Sequence, residues 1–254
     1  MLVEVPAEAR QVLAPLFEDA PGLHGLVSAV LSGSMGHALA NDIDRPQYAV
    51  LHLDFHLFGG RPTPDAVTDL VASLPATGWL VVPDDWHAPL RAKCAANLTP
   101  HRRVDFESGE WDRDSLRRFM QLEQGYELKR VTANDVEAYR RLAPSLVYNY
   151  DSLDDYLSRG VGFGVKHGDR YVSGCSAFAV GGGKAEIDIQ TQPEFRRRGF
   201  ALAAAAAFID FCVEHEIEPC WDAHNEPSVK LATKLGFVRP RPYTSYNVHP
   251  ALAN

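Results

Sequence analysis

Residues 186–207 constrain this chain more than any other stretch. Glu186-Ile187-Asp188-Ile189-Gln190 alternates polar with branched apolar residues, so Ile187 and Ile189 share one face of a strand and Glu186, Asp188 and Gln190 the other. Pro193 closes the strand, Arg196, Arg197 and Arg198 follow, and Gly199 opens a helix that begins Phe200-Ala201 and contains the alanine run 203–207. The first N–H groups of a helix lack partners within it and lie at the positive end of its dipole. A strand, an arginine turn and a helix start therefore make an anion cradle, and a diphosphate is its natural occupant. Gly199 lets a ligand approach the backbone, and the arginines offer bidentate donors to phosphate oxygens. The alanines favour helix and keep it slim enough to lie close to a sheet. A plainer reading of the same residues is a surface arginine cluster ahead of a buried helix.

The surrounding pattern is that of a mixed α/β (α+β) protein. From residue 126 it predicts strand 126–131, helix 133–150, a short helix at 153–158, and strands 162–167, 171–180 and 184–191. Helix 200–215, strand 219–223, helix 228–235 and a β-rich end at 237–248 complete the series. Gly168-Asp169 and Gly181-Gly182-Gly183 supply the turns between the three central strands. The first half predicts one or two helices over 7–40, broken at Pro21-Gly22, and a single strand over 47–57. Helix 64–74 behind the cap Thr63, strand 78–83, a helix ending near Asn97, strand 102–107 and helix 111–124 follow. No repeat is visible in the residues themselves.

Composition narrows the partners. The 254 residues carry 25 basic and 33 acidic side chains, a formal charge of −8. That balance argues against nucleic acid and anionic membranes as partners, because both require a basic surface. No apolar run is long enough to span a membrane, and Met1-Leu2-Val3-Glu4-Val5-Pro6 does not read as a signal peptide. Cys94, Cys175, Cys212 and Cys220 form no C-x-x-C pair and read as reduced thiols of a cytoplasmic protein. No metal site is expected: His52, Asp54 and His56 would share a strand face, but a polar face explains them as well. Gly181-Gly182-Gly183-Lys184 is a turn and not a P-loop, since Ala185 stands where Ser or Thr must meet Mg²⁺.

Arg196-Arg197-Arg198-Gly199-Phe200-Ala201 resembles the R/Q-x-x-G-x-G/A cofactor motif of the GNAT superfamily of N-acetyltransferases. Asn225-Glu226-Pro227-Ser228, followed by Lys234-Leu235-Gly236-Phe237, resembles that family's second signature, an asparagine-led helix ending in L-G-F. Spacing and element order agree, and the likeness covers roughly residues 126–248. A narrower likeness, carried by residues 79–86, 101–106, 186–191 and 219–223, is to the subgroup containing the zwittermicin A resistance acetyltransferase.

The resemblance implies a GNAT acyl-CoA N-acyltransferase fold over 126–254, with a mixed, splayed sheet, behind a smaller N-terminal α/β domain at 1–125 that walls the acceptor pocket. It implies acetyl-CoA as co-substrate, a small-molecule amine as acceptor, and allows a homodimer. Strands 186–191 and 219–223 should part in a V. Pantetheine should lie along Ile189, Gln190 and Thr191, with the diphosphate on Arg196, Arg197, Arg198, Gly199, Phe200 and Ala201. Asn225 and Ser228 are carried over as cofactor contacts, although helix capping explains both equally.

Transfer to an amine requires removal of a proton by a base, expected to be a carboxylate raised in pKa by partial burial. The resemblance points first to Glu186 and then to Asp188; either could instead bind a cationic substrate or be a plain exposed-face acid. The family's tyrosine acid falls on Ala232 here, so no acid carries over from it. Tyr243, Tyr246 and water are the substitutes. The alternative to an enzyme is a non-catalytic acyl-CoA-binding or regulatory module. Residues 1–125 show no second cofactor motif, although a degenerate second acyltransferase fold is conceivable.

Overall fold

The computed structural model describes residues 1–250. The first six strands are β1 (Val3–Glu4), β2 (His37–Ala40), β3 (Tyr48–His52), β4 (Phe55–Gly60), β5 (Gly78–Val81) and β6 (Leu98–Glu107). The second six are β7 (Glu127–Arg130), β8 (Gly162–His167), β9 (Arg170–Gly181), β10 (Lys184–Thr191), β11 (Glu218–Ala223) and β12 (Val238–Val248). The helices of the first half are α1 (His24–Leu31), α2 (Pro64–Ala72), α3 (His87–Cys94) and α4 (Arg113–Phe119). Those of the second are α5 (Val136–Leu142), α6 (Leu153–Arg159), α7 (Phe200–Glu214) and α8 (Glu226–Leu235). No helix among the described residues is long and apolar enough to cross a membrane.

All strands join one mixed sheet in the order β1-β2-β3-β4-β5-β12-β6-β11-β10-β9-β8-β7. Adding six to each strand number, counting round from β12 to β1, and reading backwards returns the same series. The two halves are thus related by a pseudo-two-fold between β12 and β6. The last strand of each half has crossed over: β6 pairs with β11 and β12, while β12 pairs with β5 and β6. The repeat invisible in the residues is present in the topology.

The site is positioned by what lies on each face of β10. On one side α7 buries Ala204, Ala205, Ala206, Phe208 and Ile209 against Ile187, Ile189, Trp221 and Phe237. The small alanines let the helix approach the sheet closely, and each large apolar side chain removed from water contributes roughly 1.5–3 kcal/mol. On the other side lie α1 and α5, whose Leu26, Val30 and Tyr139 share a core with Phe178.

Four sequence expectations are corrected. Residues 47–57 form two strands, β3 and β4, joined by a hairpin in which His52 pairs with His56. The alternation runs unbroken through the turn, which carries no glycine to mark it. His52, Asp54 and His56 therefore do not line one strand; the two imidazoles face each other across the hairpin, with Asp54 at its tip. Residues 37–40, expected as helix, are β2, paired to β1 and β3. The helix expected over 133–150 stops at Leu142, because Ala143 precedes Pro144 and takes an extended conformation (φ −160°, ψ 126°). The helix expected over 111–124 is α4, started by the Asp112 side chain, which accepts from the N–H groups of Asp114 and Ser115.

Candidate active site

The strands β10 and β11 run parallel only over residues 184–186 and 218–220. Beyond Cys220, β11 turns away and pairs Trp221, Asp222 and Ala223 with β6. A β-bulge lies at the same level. Glu186 faces Ala179 and Ile187 faces Ala177, leaving Phe178 as the extra residue of β9. Bulges bend a strand and re-aim its side chains, so this one marks where the split opens.

The exposed edge of β10 has a definite parity. Gln192 N–H donates to Val172 O on β9 at 3.0 Å, and Gly183 O accepts from Glu218 N–H at 2.8 Å. Even-numbered residues therefore direct their backbone groups at β9, and Ile187, Ile189 and Thr191 direct theirs into the split. Those groups form a strand edge on which an extended chain can dock. Arg196 Nε already donates to Thr191 O at 3.3 Å.

At the mouth of the split stands the start of α7. Gly199 adopts φ 84°, with no side-chain cap, and Ala203 N–H is the first to bond back, to Gly199 O at 3.0 Å. The N–H groups of Phe200, Ala201 and Leu202 therefore have no helical partner. A Cβ placed on Gly199 would meet nothing within 4 Å, so the approach to these amides is open. Arg197 also has positive φ, 62°, a conformation that costs a non-glycine residue energy and is frequent at ligand sites. Arg196 and Arg197 are exposed. Arg198 is committed elsewhere: it pairs with Glu123 and lies 4.7 Å from the Tyr126 ring and 5.0 Å from that of Phe200. The Phe200 side chain is buried, so of this residue only the backbone is open to the turn's approach. A cavity of about 480 Å³ adjoins this turn, walled by Phe119, Leu122, Glu123, Arg198 and Gly199.

The carboxylates of β10 share a face, as alternation predicts, but their surroundings differ. Glu186 is 2% exposed and accepts Gly25 N–H from the first turn of α1 at 2.9 Å. Any side chain at residue 25 would collide with the Glu186 backbone, at 2.5 Å from its N. Burial first, and then the Asp222 charge, push the Glu186 carboxyl up to about 8, against the pull of the Gly25 N–H and His24. Asp188 is half-buried, accepting Ser145 Oγ at 2.8 Å and Gln190 Nε2 at 3.0 Å. Burial raises its pKa and those hydrogen bonds oppose the rise.

Asn225 caps α8, its Oδ1 accepting Ser228 N–H at 2.9 Å, and Ser228 Oγ accepts the Trp221 Nε1–H at 3.1 Å. Tyr246 is not brought to the split. Its hydroxyl bonds His87 Nδ1 at 2.7 Å, in a core with Val50, Phe58 and Trp86. Tyr243 lies nearer, donating to Asp222 Oδ2 at 2.6 Å.

Around Glu186 is a buried network that the sequence reading missed. Asp222 pairs with Arg103, and Asp105 pairs with Arg241 at 2.9 Å and His24 at 3.2 Å. The only signal was charge inside predicted strands, at Arg103, Asp105 and Asp222, and buried charges require partners. Among the described residues no group of three or more His, Cys, Asp or Glu could hold a metal.

A strand pair that parts beside an uncapped helix start, with carboxylates on the facing strand, defines the acyl-CoA N-acyltransferase class of fold. Residues 14–246 match the GNAT acetyltransferase family, and the chain belongs to it. An uncharacterized N-acetyltransferase of Bacillus subtilis (strain 168), YdfB, is 35% identical over 167 residues, 64% of this chain. That match spans 62% of the relative's length. A GCN5-related N-acetyltransferase-like protein from Streptococcus suis is 27% identical with a TM-score of 0.83, covering 96% of this chain and 99% of that one. A tandem GNAT protein from the clavulanic acid biosynthesis pathway shares the fold at 14% identity and a TM-score of 0.54, over 97% of this chain and 96% of its own.

Proposed function

We propose that this chain transfers the acetyl group of acetyl-CoA to an amine of a small molecule by direct attack. The observation that carries this is the coincidence of an open β10 edge, free amides at the start of α7, and half-buried Asp188 in one split. Backbone groups of Ile189 and Thr191, beside the Gln190 side chain, would hold the pantetheine arm. The amides at residues 199–202, with Arg196 and Arg197, would hold the diphosphate. Arg198 supports that turn from behind through Glu123. Asn225 and Ser228 fix the start of α8 on the opposite lip.

Exposure decides between the two carboxylates. Asp188, partly exposed on β10, would take the amine proton; Glu186, closed beneath α1, would position the strand and act on protons only through the network around it. This reverses the order in which the sequence ranks them. As the amine nitrogen bonds to the acetyl carbon and the carbon–sulfur bond breaks, a backbone N–H of the 189–191 segment would polarise the carbonyl. Thiols near pKa 8.5 leave readily, so solvent rather than Tyr246 would protonate the sulfur. The half at 1–125 would wall the acceptor side of the 126–254 half. Within the family we favour the zwittermicin-resistance subgroup on the segments named above. The four free thiols support a cytoplasmic setting.

One observation favours a non-catalytic acyl-CoA-binding module: Ala232, where related enzymes carry a tyrosine acid, is fully buried. Mixing the protein with acetyl-CoA and a panel of amines, and assaying free thiol, separates the two readings. Thiol release that depends on the amine supports transfer. Acetyl-CoA binding without release on every amine supports the module.

A further inference from the structure

The N-terminal half has a cleft of its own. Strands β4 and β5 pair in parallel only over residues 55–57 and 79–81. Where they part lies a cavity of about 870 Å³, a size that encloses a small organic molecule. Tyr48, Tyr243 and Ala20 are its buried lining, and Pro21, Pro83 and Pro242 add apolar surface. Asp19, Asp84 and Asp85 line it with one sign of charge, Arg61 and Arg241 with the other. Arg241 is already paired with Asp105 and Glu107, and Asp84 reaches only His87, at 3.6 Å. Asp19, Asp85 and Arg61 have no ion-pair partner among the described residues. Three carboxylates therefore stand against one free guanidinium. An apolar cleft with tyrosine rings and surplus carboxylates suits a cation, because both attract one.

Residues 20–25 join this cleft to the other split. Ala20 and Pro21 line the cavity. Gly22 packs so tightly on Asp222 and Tyr243 that a side chain there would collide with both. Leu23 holds a left-handed backbone, φ 58° and ψ 39°, a conformation costly for a non-glycine residue. His24 Nε2 meets Asp105 Oδ2 at 3.2 Å, and Gly25 N–H donates to Glu186 on β10 at 2.9 Å. Two cleft residues reach the same buried carboxylates directly. Tyr243 donates to Asp222 at 2.6 Å, and Arg241 pairs with Asp105 at 2.9 Å. A molecule seated against Ala20, Pro21 and Tyr243 therefore touches the groups that hold β10 where it leaves β11.

We propose that the N-terminal cleft is a second ligand site, which takes a small organic cation with an apolar body and tunes acetyl transfer through residues 20–25. The effect on transfer, unlike the binding, rests on the C-terminal split being the acetyl-transfer site. A ligand shifts this segment only as far as it binds one arrangement of it better than another. The contacts end at Glu186 and not at the α7 amides. Occupancy should therefore change use of the amine and leave acetyl-CoA affinity alone.

The probe is benzyltrimethylammonium, whose nitrogen has no free electron pair and so cannot accept an acetyl group. Calorimetry with CoA present should give a Kd in the micromolar to low-millimolar range, and benzenesulfonate should bind at least about tenfold more weakly. In the double variant Asp19→Asn with Asp85→Asn, both exposed, affinity for the cation should fall about tenfold. Gln47→Trp, which fills the cleft from its rim, should abolish binding. Saturating cation should change kcat/KM for the best-used amine by at least about fivefold without altering acetyl-CoA affinity. Tyr243→Phe should still bind the cation but show a smaller change, and hydrogen exchange over residues 20–25 should slow on binding. Equal binding of benzenesulfonate, an affinity untouched in the Asp19/Asp85 and Gln47 variants, or no binding at all overturns the site. Competition with the amine that survives in those variants places the cation in the acceptor pocket and also overturns it. Variant-sensitive binding that leaves turnover and exchange over residues 20–25 unchanged overturns the coupling. If no amine releases thiol, the transferase reading fails, while variant-sensitive binding with slowed exchange still supports this site.

Discussion

The pseudo-two-fold places two splits in one sheet, and they have diverged in instructive ways. In the N-terminal half β4 and β5 run parallel over residues 55–57 and 79–81 and then part, as β10 and β11 do after 184–186 and 218–220. The last paired residue is Leu57 in one split and Glu186 in the other. After β4 only residues 61–63 precede α2, whereas residues 192–199 lie between β10 and α7. The start of α2 is closed by its own chain: Pro64 removes one N–H and Thr63 Oγ1 accepts from Ala66 N–H at 3.3 Å. Trp86 Nε1 donates to Gly60 O at 2.8 Å, covering the strand edge that β10 leaves bare. A cleft of about 870 Å³ remains there, lined by Tyr48, Arg61, Arg241 and Tyr243 among others, but without an open helix start. The same topology therefore leaves helix amides open beside a strand edge only where the connection is long, the cap is glycine and the edge is free.

The sharpest way to break this contrast is at the two helix starts. Gly199→Glu puts a side chain and a negative charge in the open approach to the α7 amides, and acetyl-CoA affinity should fall by at least about 100-fold in calorimetry. Circular dichroism should show the fold kept; unchanged affinity would place the cofactor elsewhere. Asp188→Asn comes next, with turnover expected to drop on the order of 100-fold or more while acetyl-CoA affinity holds. Loss of affinity in parallel with turnover would make Asp188 a cofactor contact.

Glu186 supplies a pH signature that Leu57 lacks. Its carboxyl, ordinarily near 4.5, stands at about 8 in the folded protein. Between those values the native state holds a proton that the unfolded chain releases, so stability falls as pH rises across that window. Glu186→Gln keeps an acceptor for Gly25 N–H and removes the titration. The variant should gain on the parent from pH 5 to pH 8 by a few kcal/mol at most, about 1.4 kcal/mol for each pH unit traversed. A constant difference between the two in urea melts would show that Glu186 is ionised when folded. The smallest effect belongs to the silent split: Thr63→Ala should cost about 1 kcal/mol of stability and leave acetyl-CoA affinity unchanged.

Much of the C-terminal half was legible because its determinants are local. Gly199 with three preceding arginines, the alternation through Gln190, and Asn225 with the Leu235-Gly236-Phe237 ending all act within a few residues of themselves. The crossover of β6 and β12 was not legible. Residues 102–107 and 237–248 declare themselves strands, but nothing local names their neighbours. The Glu186 environment was hidden for the same reason, since the Gly25 N–H that it accepts comes from 161 residues away. The turn at Leu53-Asp54 was missed because hydrophobic alternation continues through it and no glycine interrupts.

Hydrogen exchange with and without CoA tests the central contrast most directly. The account predicts slowed exchange at Ile189 and Thr191 and at Phe200, Ala201 and Leu202, with no change over β4 or the first turn of α2. Protection confined to residues 58–66, or none around residue 200, would contradict it.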